Sequence, residues 1–465
     1  MSNPGDADAT PITSERQLAD YIAVGCKPPA RFTIGTEHEK FGFRTADLVT
    51  PPYEPGGIRA LLEGMMAGGG WEPILDRGNP IGLNSTGTAN RLGQPTSGAI
   101  SLEPAGQLEL SGGLMADLHA TRAEFEAHFA EVRAAAEPLG LGFAPLGFHP
   151  LGTRDSMPWM PKGRYALMRR YMPLVGSLGL DMMTRTCTVQ VNLDYASEAD
   201  MVTKLRVALA LQPVASALFA NSPFSEGKPN GFLSYRCQVW TDTDNDRSGI
   251  PPCVFEPGFG FERYVQWLLD VPMYFVFRDN RYIDVAGRSF RDFMAGKLDV
   301  PGVGQATIGD FADHMTTAFT DVRLKRFLEM RGADAGSVEM MVAQSALWVG
   351  ILYDPAALAA AAALVASRKW TDFTALRPLV PRTALDTRLA GEGTVRDLAR
   401  EMVAIARDGL RARAIRDAQG RDETMHLAPL EALVAGGPTQ AERWLERYHG
   451  IWHGDTSRIF AEAAI

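Results

Sequence analysis

The sequence predicts an α+β fold, an antiparallel sheet with one polar and one apolar face, backed by helices, and three segments predict it. In Arg31-Phe-Thr-Ile-Gly-Thr-Glu-His-Glu-Lys-Phe-Gly-Phe43 the two-residue period of a strand sets Glu37 and Glu39 side by side on one face. In Ser101-Leu-Glu-Pro-Ala-Gly-Gln-Leu-Glu-Leu-Ser-Gly112, Gln107 and Glu109 share a face opposite Leu108 and Leu110, and Glu103 enters from the preceding turn. In the run from Thr186 to Asp194, Cys187, Val189, Val191 and Leu193 point one way, and Thr188, Gln190, Asn192 and Asp194 the other. Strands apolar on one side and lined with oxygen ligands on the other fit an antiparallel sheet whose polar face holds metal and substrate.

The remaining elements follow in chain order. Residues 1–12, small and polar with Pro4, Gly5 and Pro11, read as a flexible tail, and the fold starts near Thr13. A capping residue precedes a short amphipathic helix from Glu15 to Val24, stopped by Gly25. A long helix runs from Leu118 to Glu137 and ends at Pro138 and Gly140. Ser197 caps another through Leu205, Ala208 and Leu211, where Pro213 is expected to kink or interrupt it. Residues 13–390 read as the catalytic body and 391–465 as a helical appendage of the same unit, with helices from Thr394 to Arg413 and from Thr439 to His449.

Composition narrows the function. A chain of 465 residues, 46% apolar and 22% charged, has the profile of a soluble globular protein with a large core. A net charge of −9, a pI near 5.5 and no Lys/Arg-rich run argue against nucleic acid as a partner. The apolar stretch Ala356 to Ala366 is far short of a bilayer span, so no membrane partner is expected. The first twenty residues carry Asp6, Asp8, Glu15 and Asp20 with no hydrophobic signal core, and the expectation is a cytoplasmic protein. Cys26, Cys187, Cys237 and Cys253 are too few for a disulfide framework and form no CxxC pair.

Two like charges 4 Å apart repel by about 4 kcal/mol at an effective dielectric near 20, and several such pairs rival a domain's stability of roughly 5–15 kcal/mol. If Glu37, Glu39, Glu103 and Glu109 converge, they therefore require divalent cations, and all-oxygen ligands favour Mg²⁺ or Mn²⁺ over zinc. The alternative is a set of solvated carboxylates on exposed strands. In Arg323-Leu-Lys-Arg-Phe-Leu-Glu-Met-Arg-Gly-Ala-Asp334, a strand would place Glu329 and Arg331 on one face, suited to metal and phosphate. A surface helix with i,i+3 and i,i+4 charge pairs is what this segment favours when read alone. Arg164, Arg236 and Trp240 are candidates to clamp a carboxylate, or form surface pairs. His38 should point to the opposite sheet face as a packed structural histidine. The chain has no P-loop, no HExxH and no GxSxG, and Asp242 to Asp246 lacks the glycine and glutamate of an EF-hand loop.

With these segments in hand, the chain resembles the glutamate–cysteine ligases of plants and many proteobacteria, from about Pro11 to the C-terminus. The strings that carry the resemblance are Gly35 to Phe43, Met160 to Tyr165, Asp181 to Met183, Thr188 to Asp194, Phe219 to Phe224, Trp240 to Asp244 and Arg323 to Arg326. It implies a fold similar to glutamine synthetase, in which a curved antiparallel sheet binds ATP and Mg²⁺ (or Mn²⁺) through carboxylates. Glu37, Glu39, Glu103, Glu109 and Glu329 are then the metal ligands, and Gln190 and Asn192 lie near metal and phosphate. Arg331 and Arg164 hold phosphoryl or carboxylate oxygens, with Arg236, Tyr165 and Trp240 as further substrate contacts. The implied reaction is a two-step ligation of L-glutamate and L-cysteine at the expense of ATP, by a monomer or weak homodimer. Paired cysteines associated with redox control in plant members align here with Val285 and Val300, and with Arg122 and Met341, so that kind of switch is not expected. Competing readings are a ligase using another amine acceptor, a carboxylate-pair hydrolase and a non-catalytic binding protein.

Overall fold

Strand β1 (Ile34–Arg44) is the axis of the fold in the computed structural model, which describes residues 8–465. β2 (Trp71–Asp76), β3 (Asn79–Ser85), β4 (Ala99–Leu102), β5 (Leu108–Ser111), β6 (Leu141–Ala144), β7 (Thr188–Leu193), β8 (Val322–Leu324) and β9 (Leu328–Asp334) join it in one nine-stranded sheet. The order is β8-β9-β7-β1-β5-β4-β3-β2, with β6 pairing the far end of β1, and every pairing in this sheet is antiparallel. The expected α+β architecture is thus the observed one. The Arg323 to Asp334 segment is the β8–β9 hairpin, not a surface helix, because its register pairs Arg323 with Glu329 and Val322 with Met330 on opposite faces.

The apolar face is covered by helices. α1 (Glu15–Ala23) precedes β1 in the chain, and α2 (Leu118–Ala136), α3 (Gly163–Val175), α4 (Glu198–Leu218), α5 (Val338–Leu352), α6 (Val395–Arg413) and α7 (Gln440–His449) follow. α2 and α5 pack on β1, and α4 packs on β9. His38 takes its expected place on this side, with no exposed surface, its ring edge-on to Phe125 and Phe129 of α2. Burial together with the nearby Lys40 charge holds its pKa well below the usual histidine range, so it stays neutral.

Two expectations are corrected. α4 runs unbroken through Pro213, since Met201, Leu205 and nearly every side chain from Val207 to Leu218 are buried, and tertiary packing outweighs the lost hydrogen bond. By length and hydropathy α4 could also cross a membrane, but here it lies in the core. Within the expected tail, residues 1–7 lie outside the described residues. Residues 8–12 run against 306–309, with Ile12 N–H donating to Ala306 O (2.9 Å) and Ile308 N–H to Thr10 O (2.9 Å).

The chain after residue 390 shares the main core. Val395, Leu398, Met402, Ala406 and Leu410 of α6 belong to the same buried cluster as Leu347 and Ile351 of α5. The two helices cross at a glycine pair, where a Cβ on Gly409 would stand 1.9 Å from Gly350 O. Gly409→Ala is expected to lower the unfolding free energy by about 1–3 kcal/mol through overpacking. Chemical denaturation measures this, and an unchanged midpoint and slope would disprove the close crossing.

Candidate active site

Strand registry assembles the polar face from residues distant in sequence. Glu39 pairs with Glu109 across β1 and β5, Glu37 with Gln190 across β1 and β7, and Asn192 with Glu329 across β7 and β9. All of these but Asn192 and Glu329 border a cleft of about 810 Å³, counting the solvent at its mouth. Glu37, Glu39, Glu103 and Glu109 border it, and so do Arg164, Arg236, Arg323 and Arg331. Tyr165, Gln190 and Trp240 also border it. Of the residues expected in the site, only Asn192 and Glu329 do not.

Each carboxylate is oriented by a neighbouring strand or helix. Glu39 Oε2 accepts from Thr188 N–H (2.9 Å), Glu109 Oε2 from Ser101 Oγ (2.5 Å) and Glu37 Oε1 from Asn192 Nδ2 (2.9 Å). Tyr165 Oη donates to Leu102 O (2.7 Å) and lies 3.4 Å from Glu103 Oε1. Burial, then the charges of Glu103 and Glu109, push the Glu39 carboxyl well above the carboxylate range. The Arg236 charge and the Thr188 N–H oppose that shift without overcoming it.

Arg331 owes its position to a β-bulge. Met330 pairs with Val191 and Ala333 with Val189, so Arg331 and Gly332 together face the single residue Gln190. The bulge frees the Arg331 carbonyl, which accepts from Arg236 Nη2 (2.9 Å) and Thr188 Oγ1 (3.2 Å). A Cβ at 332 would stand 2.4 Å from Gln212 Nε2 of α4, so a larger residue there requires that side chain to move. Arg331 Nη1 also donates to Gln190 Oε1 (2.5 Å).

Glu329 differs most from its expected part as a metal ligand. It has no exposed surface and is enclosed by Arg323 (2.5 Å), Lys325 (3.1 Å) and Arg331 (3.0 Å). Burial alone would push its carboxyl up, but these three cations outweigh it and hold the carboxyl well below the usual range. Its oxygens are occupied in orienting the arginines. Among the described residues, no group of three or more His, Cys, Asp or Glu side chains is gathered closely enough to hold a metal ion as it stands.

Several cleft donors have no protein partner. Arg164 Nε, Arg236 Nε and Nη1, and Trp240 Nε1 are buried without a hydrogen bond. Arg164 also lies over the Phe275 ring, 5.0 Å from its centroid. Through Arg236, Trp240, Phe319 and Arg331 the cleft adjoins a second of about 460 Å³ that includes Cys237, Asp321 and Arg377. Burial pushes the Cys237 thiol up to about 11, so it is no thiolate nucleophile. All four cysteines are free, so Cys237 and Cys253 do not pair.

Sequence reasoning did not single out Arg323, Lys325, Arg377 or the methionine wall of Met168, Met182 and Met183. Arg323, Lys325, Met182 and Met183 sat inside motif strings already noted. Arg377 carried no sequence signal, since it reaches the site only through Asp321 (2.9 Å) and Trp240 O (2.9 Å).

An open antiparallel sheet with acids facing arginines on one side and helices on the other is the glutamine synthetase-like class of ligase fold. Residues 33–462 match glutamate–cysteine ligase family 2 (GCS2). The chloroplastic glutamate–cysteine ligase of Medicago truncatula is 48% identical over 98% of this chain and 86% of its own length. That of Nicotiana tabacum is 49% identical over 98% and 83%, and that of Arabidopsis thaliana 48% over 97% and 83%. A solved glutamate–cysteine ligase from Francisella tularensis, in complex with AMP, superposes with a TM-score of 0.55 over 93% of this chain and 87% of that one. At 11% identity it speaks for the fold alone. The chain belongs to glutamate–cysteine ligase family 2, and it is an enzyme, a ligase. The relatives' chloroplastic location overturns the expectation of a cytoplasmic protein, which rested on the lack of a signal core.

Glu329→Gln removes the enclosed carboxylate from Arg323, Lys325 and Arg331, leaving the Glu37 carboxylate as their counter-charge, and is expected to cost about 3–5 kcal/mol of stability. Because the folded carboxyl lies below the unfolded value, the wild-type advantage is present above the ordinary carboxylate range and shrinks as pH falls through the folded pKa. Urea titrations of both proteins between pH 7 and pH 3 check this, and a pH-independent difference would contradict the charge cage.

Proposed function

We propose that the cleft joins the γ-carboxylate of L-glutamate to the amine of L-cysteine using ATP, giving γ-glutamylcysteine, ADP and phosphate. The observation that carries this is the set of unpartnered donors on Arg164, Arg236 and Trp240 opposite the Glu39, Glu103 and Glu109 carboxylates. Arginine forks and an indole N–H suit an anionic substrate such as glutamate. Close carboxylates, one of them raised by burial and then by its neighbours, suit an oxygen-seeking divalent cation.

The donor chemistry therefore fits Mg²⁺, with Mn²⁺ as a substitute, and Glu37, Glu39, Glu103 and Glu109 would hold it. Once bound, the ion neutralises the triphosphate and polarises its oxygens. Glutamate is held by Arg164 and Arg236, with Tyr165 and Trp240 beside them. Its γ-carboxylate attacks the terminal phosphorus of ATP, ADP leaves, and a γ-glutamyl phosphate forms. Arg331, steered by Gln190 and Glu329, stabilises charge on the transferring phosphoryl group. The cysteine amine then attacks the acyl carbon, phosphate leaves and the amine loses its proton. Met168, Met182, Met183 and Phe319 line the same cleft and exclude water from the acyl phosphate.

Phosphate release from ATP is expected to require Mg²⁺, glutamate and cysteine together, with γ-glutamylcysteine identified by mass. Release without cysteine would point to another acceptor, and no release under any combination would refute the ligase. Arg331→Lys, which removes the planar fork, should lower kcat by about 10²–10³, some 2.7–4 kcal/mol of transition-state stabilisation.

Metal-free stability supplies a separate check. Since the Glu39 carboxyl is raised in the fold, its contribution is fully present below the unfolded pKa and is lost as pH rises through the folded one. Mg²⁺ should therefore raise the thermal midpoint more at pH 7.5 than at pH 5. Glu39→Gln should be at least as stable as the wild type without metal and should gain less from Mg²⁺. An equal gain in both proteins at both pH values would remove Glu39 from the cation site.

A further inference from the structure

The smaller cavity of about 460 Å³ beside the cleft has two charged side chains of its own, Asp321 and Arg377, which the proposed reaction does not use. Arg236, Trp240, Phe319 and Arg331 border both spaces, so what enters the smaller one stands next to the phosphoryl-transfer groups. None of the glutamates around the cleft borders it. A metal-bound triphosphate therefore belongs in the cleft and not here.

Asp321 stands just before β8, and its backbone carbonyl accepts from the Arg331 N–H (3.0 Å), which sets the two residues side by side. Arg377 is fixed from two directions, its Nε donating to Asp321 Oδ2 (2.9 Å) and its Nη2 to Trp240 O (2.9 Å). Asp321 Oδ1 and Arg377 Nη1 have no hydrogen bond among the described residues. Both atoms are reachable, since neither is one of the buried polar atoms without a partner and the side chains are 15% and 22% exposed. An open carboxylate oxygen beside an open guanidinium N–H is the complement of an amino acid's own head, ammonium to the acid and carboxylate to the arginine. The other walls, Pro213 and Ser216 of α4 with Cys237 and Val380, leave room for only a short side chain.

We propose that this cavity seats the amine acceptor, a small α-amino acid such as cysteine, with its carboxylate on Arg377, its ammonium on Asp321 and its side chain against Pro213, Cys237 and Val380. The inference rests on the ligase reading, because it names where that reaction's second substrate stands. From there the nitrogen, once it has lost its proton, meets the acyl carbon at the border formed by Arg236 and Arg331, and glutamate keeps its place in the cleft.

Steady-state kinetics of the full chain with ATP, Mg²⁺ and glutamate test this with three acceptors. Cysteine carries both head groups, cysteamine lacks the carboxylate, and hydroxylamine needs neither, trapping the acyl phosphate as γ-glutamyl hydroxamate. The wild type is expected to favour cysteine over cysteamine by about tenfold or more in kcat/KM, as a site built for a carboxylate rejects the analogue without one. Arg377→Met should raise the KM for cysteine by about tenfold or more and bring that ratio near one, and Arg377→Lys should recover part of both. A purely structural defect would lower all three acceptors alike. If Arg377→Met fails to fold, Cys237→Leu decides, since narrowing the cavity should weaken cysteine more than hydroxylamine. No hydroxamate from the wild type would refute the ligase reading and this site with it. Hydroxamate formation with equal kcat/KM for cysteine and cysteamine, or with a cysteine KM unchanged by these substitutions, would overturn the acceptor site alone.

Discussion

The Glu329 carboxylate, fully enclosed among Arg323, Lys325 and Arg331, is the interaction on which the basic side of the cleft depends. Three cations within reach of one another repel strongly in a medium poorer than water, and one buried anion offsets that repulsion. It also sets direction. Arg331 is held by Glu329 and by Gln190, so its guanidinium is placed by two acceptors before any substrate arrives. The bulge at Arg331 and Gly332 extends the arrangement, since the carbonyl it releases from the ladder fixes Arg236. A single irregularity in β9 thereby links two arginines that are 95 residues apart.

The acidic side is built on the opposite principle. Its carboxylates are oriented by neutral donors, namely the Thr188 amide, the Ser101 hydroxyl and the Asn192 amide, and these do not cancel charge. Charge reaches them from further off, since Arg323, Lys325 and Arg331 act on Glu37 and Arg236 acts on Glu39. In the proposed reaction an anionic nucleophile must reach an anionic phosphate, and Arg323 of β8 and Arg331 of β9 line the same cleft as Glu37, Glu39 and Glu109 of β1 and β5. Both sets sit on a sheet whose antiparallel pairing permits one polar and one packed face.

Much of this was legible because a strand has a strict two-residue period. Glu37 with Glu39, Gln107 with Glu109, and Thr188 with Gln190 fall on one face as that period requires, and His38 falls on the other. Register between strands was not legible, and it decides what Glu329 does. Only the β8–β9 hairpin brings Arg323 opposite it, and read alone the segment had helical charge spacing. The bulge was equally hidden, as it shows only in the register between β9 and β7. Pro213 misled because local propensity is weak against a helix that is buried over most of its length. Location was misread for a different reason, since an address is not a property of packing.

A site with a raised, buried carboxyl and unpartnered buried donors is a source of instability that the rest of the chain must outweigh. The buried layer behind the sheet supplies that margin, with α4, α5 and α6 in one continuous apolar cluster. Ligands then act twice. In the proposed reaction a cation on the raised Glu39 group and an anion on Arg164 and Arg236 would each remove a cost that the empty fold carries, so binding would stabilise the enzyme by mass action as well as assemble the reactants.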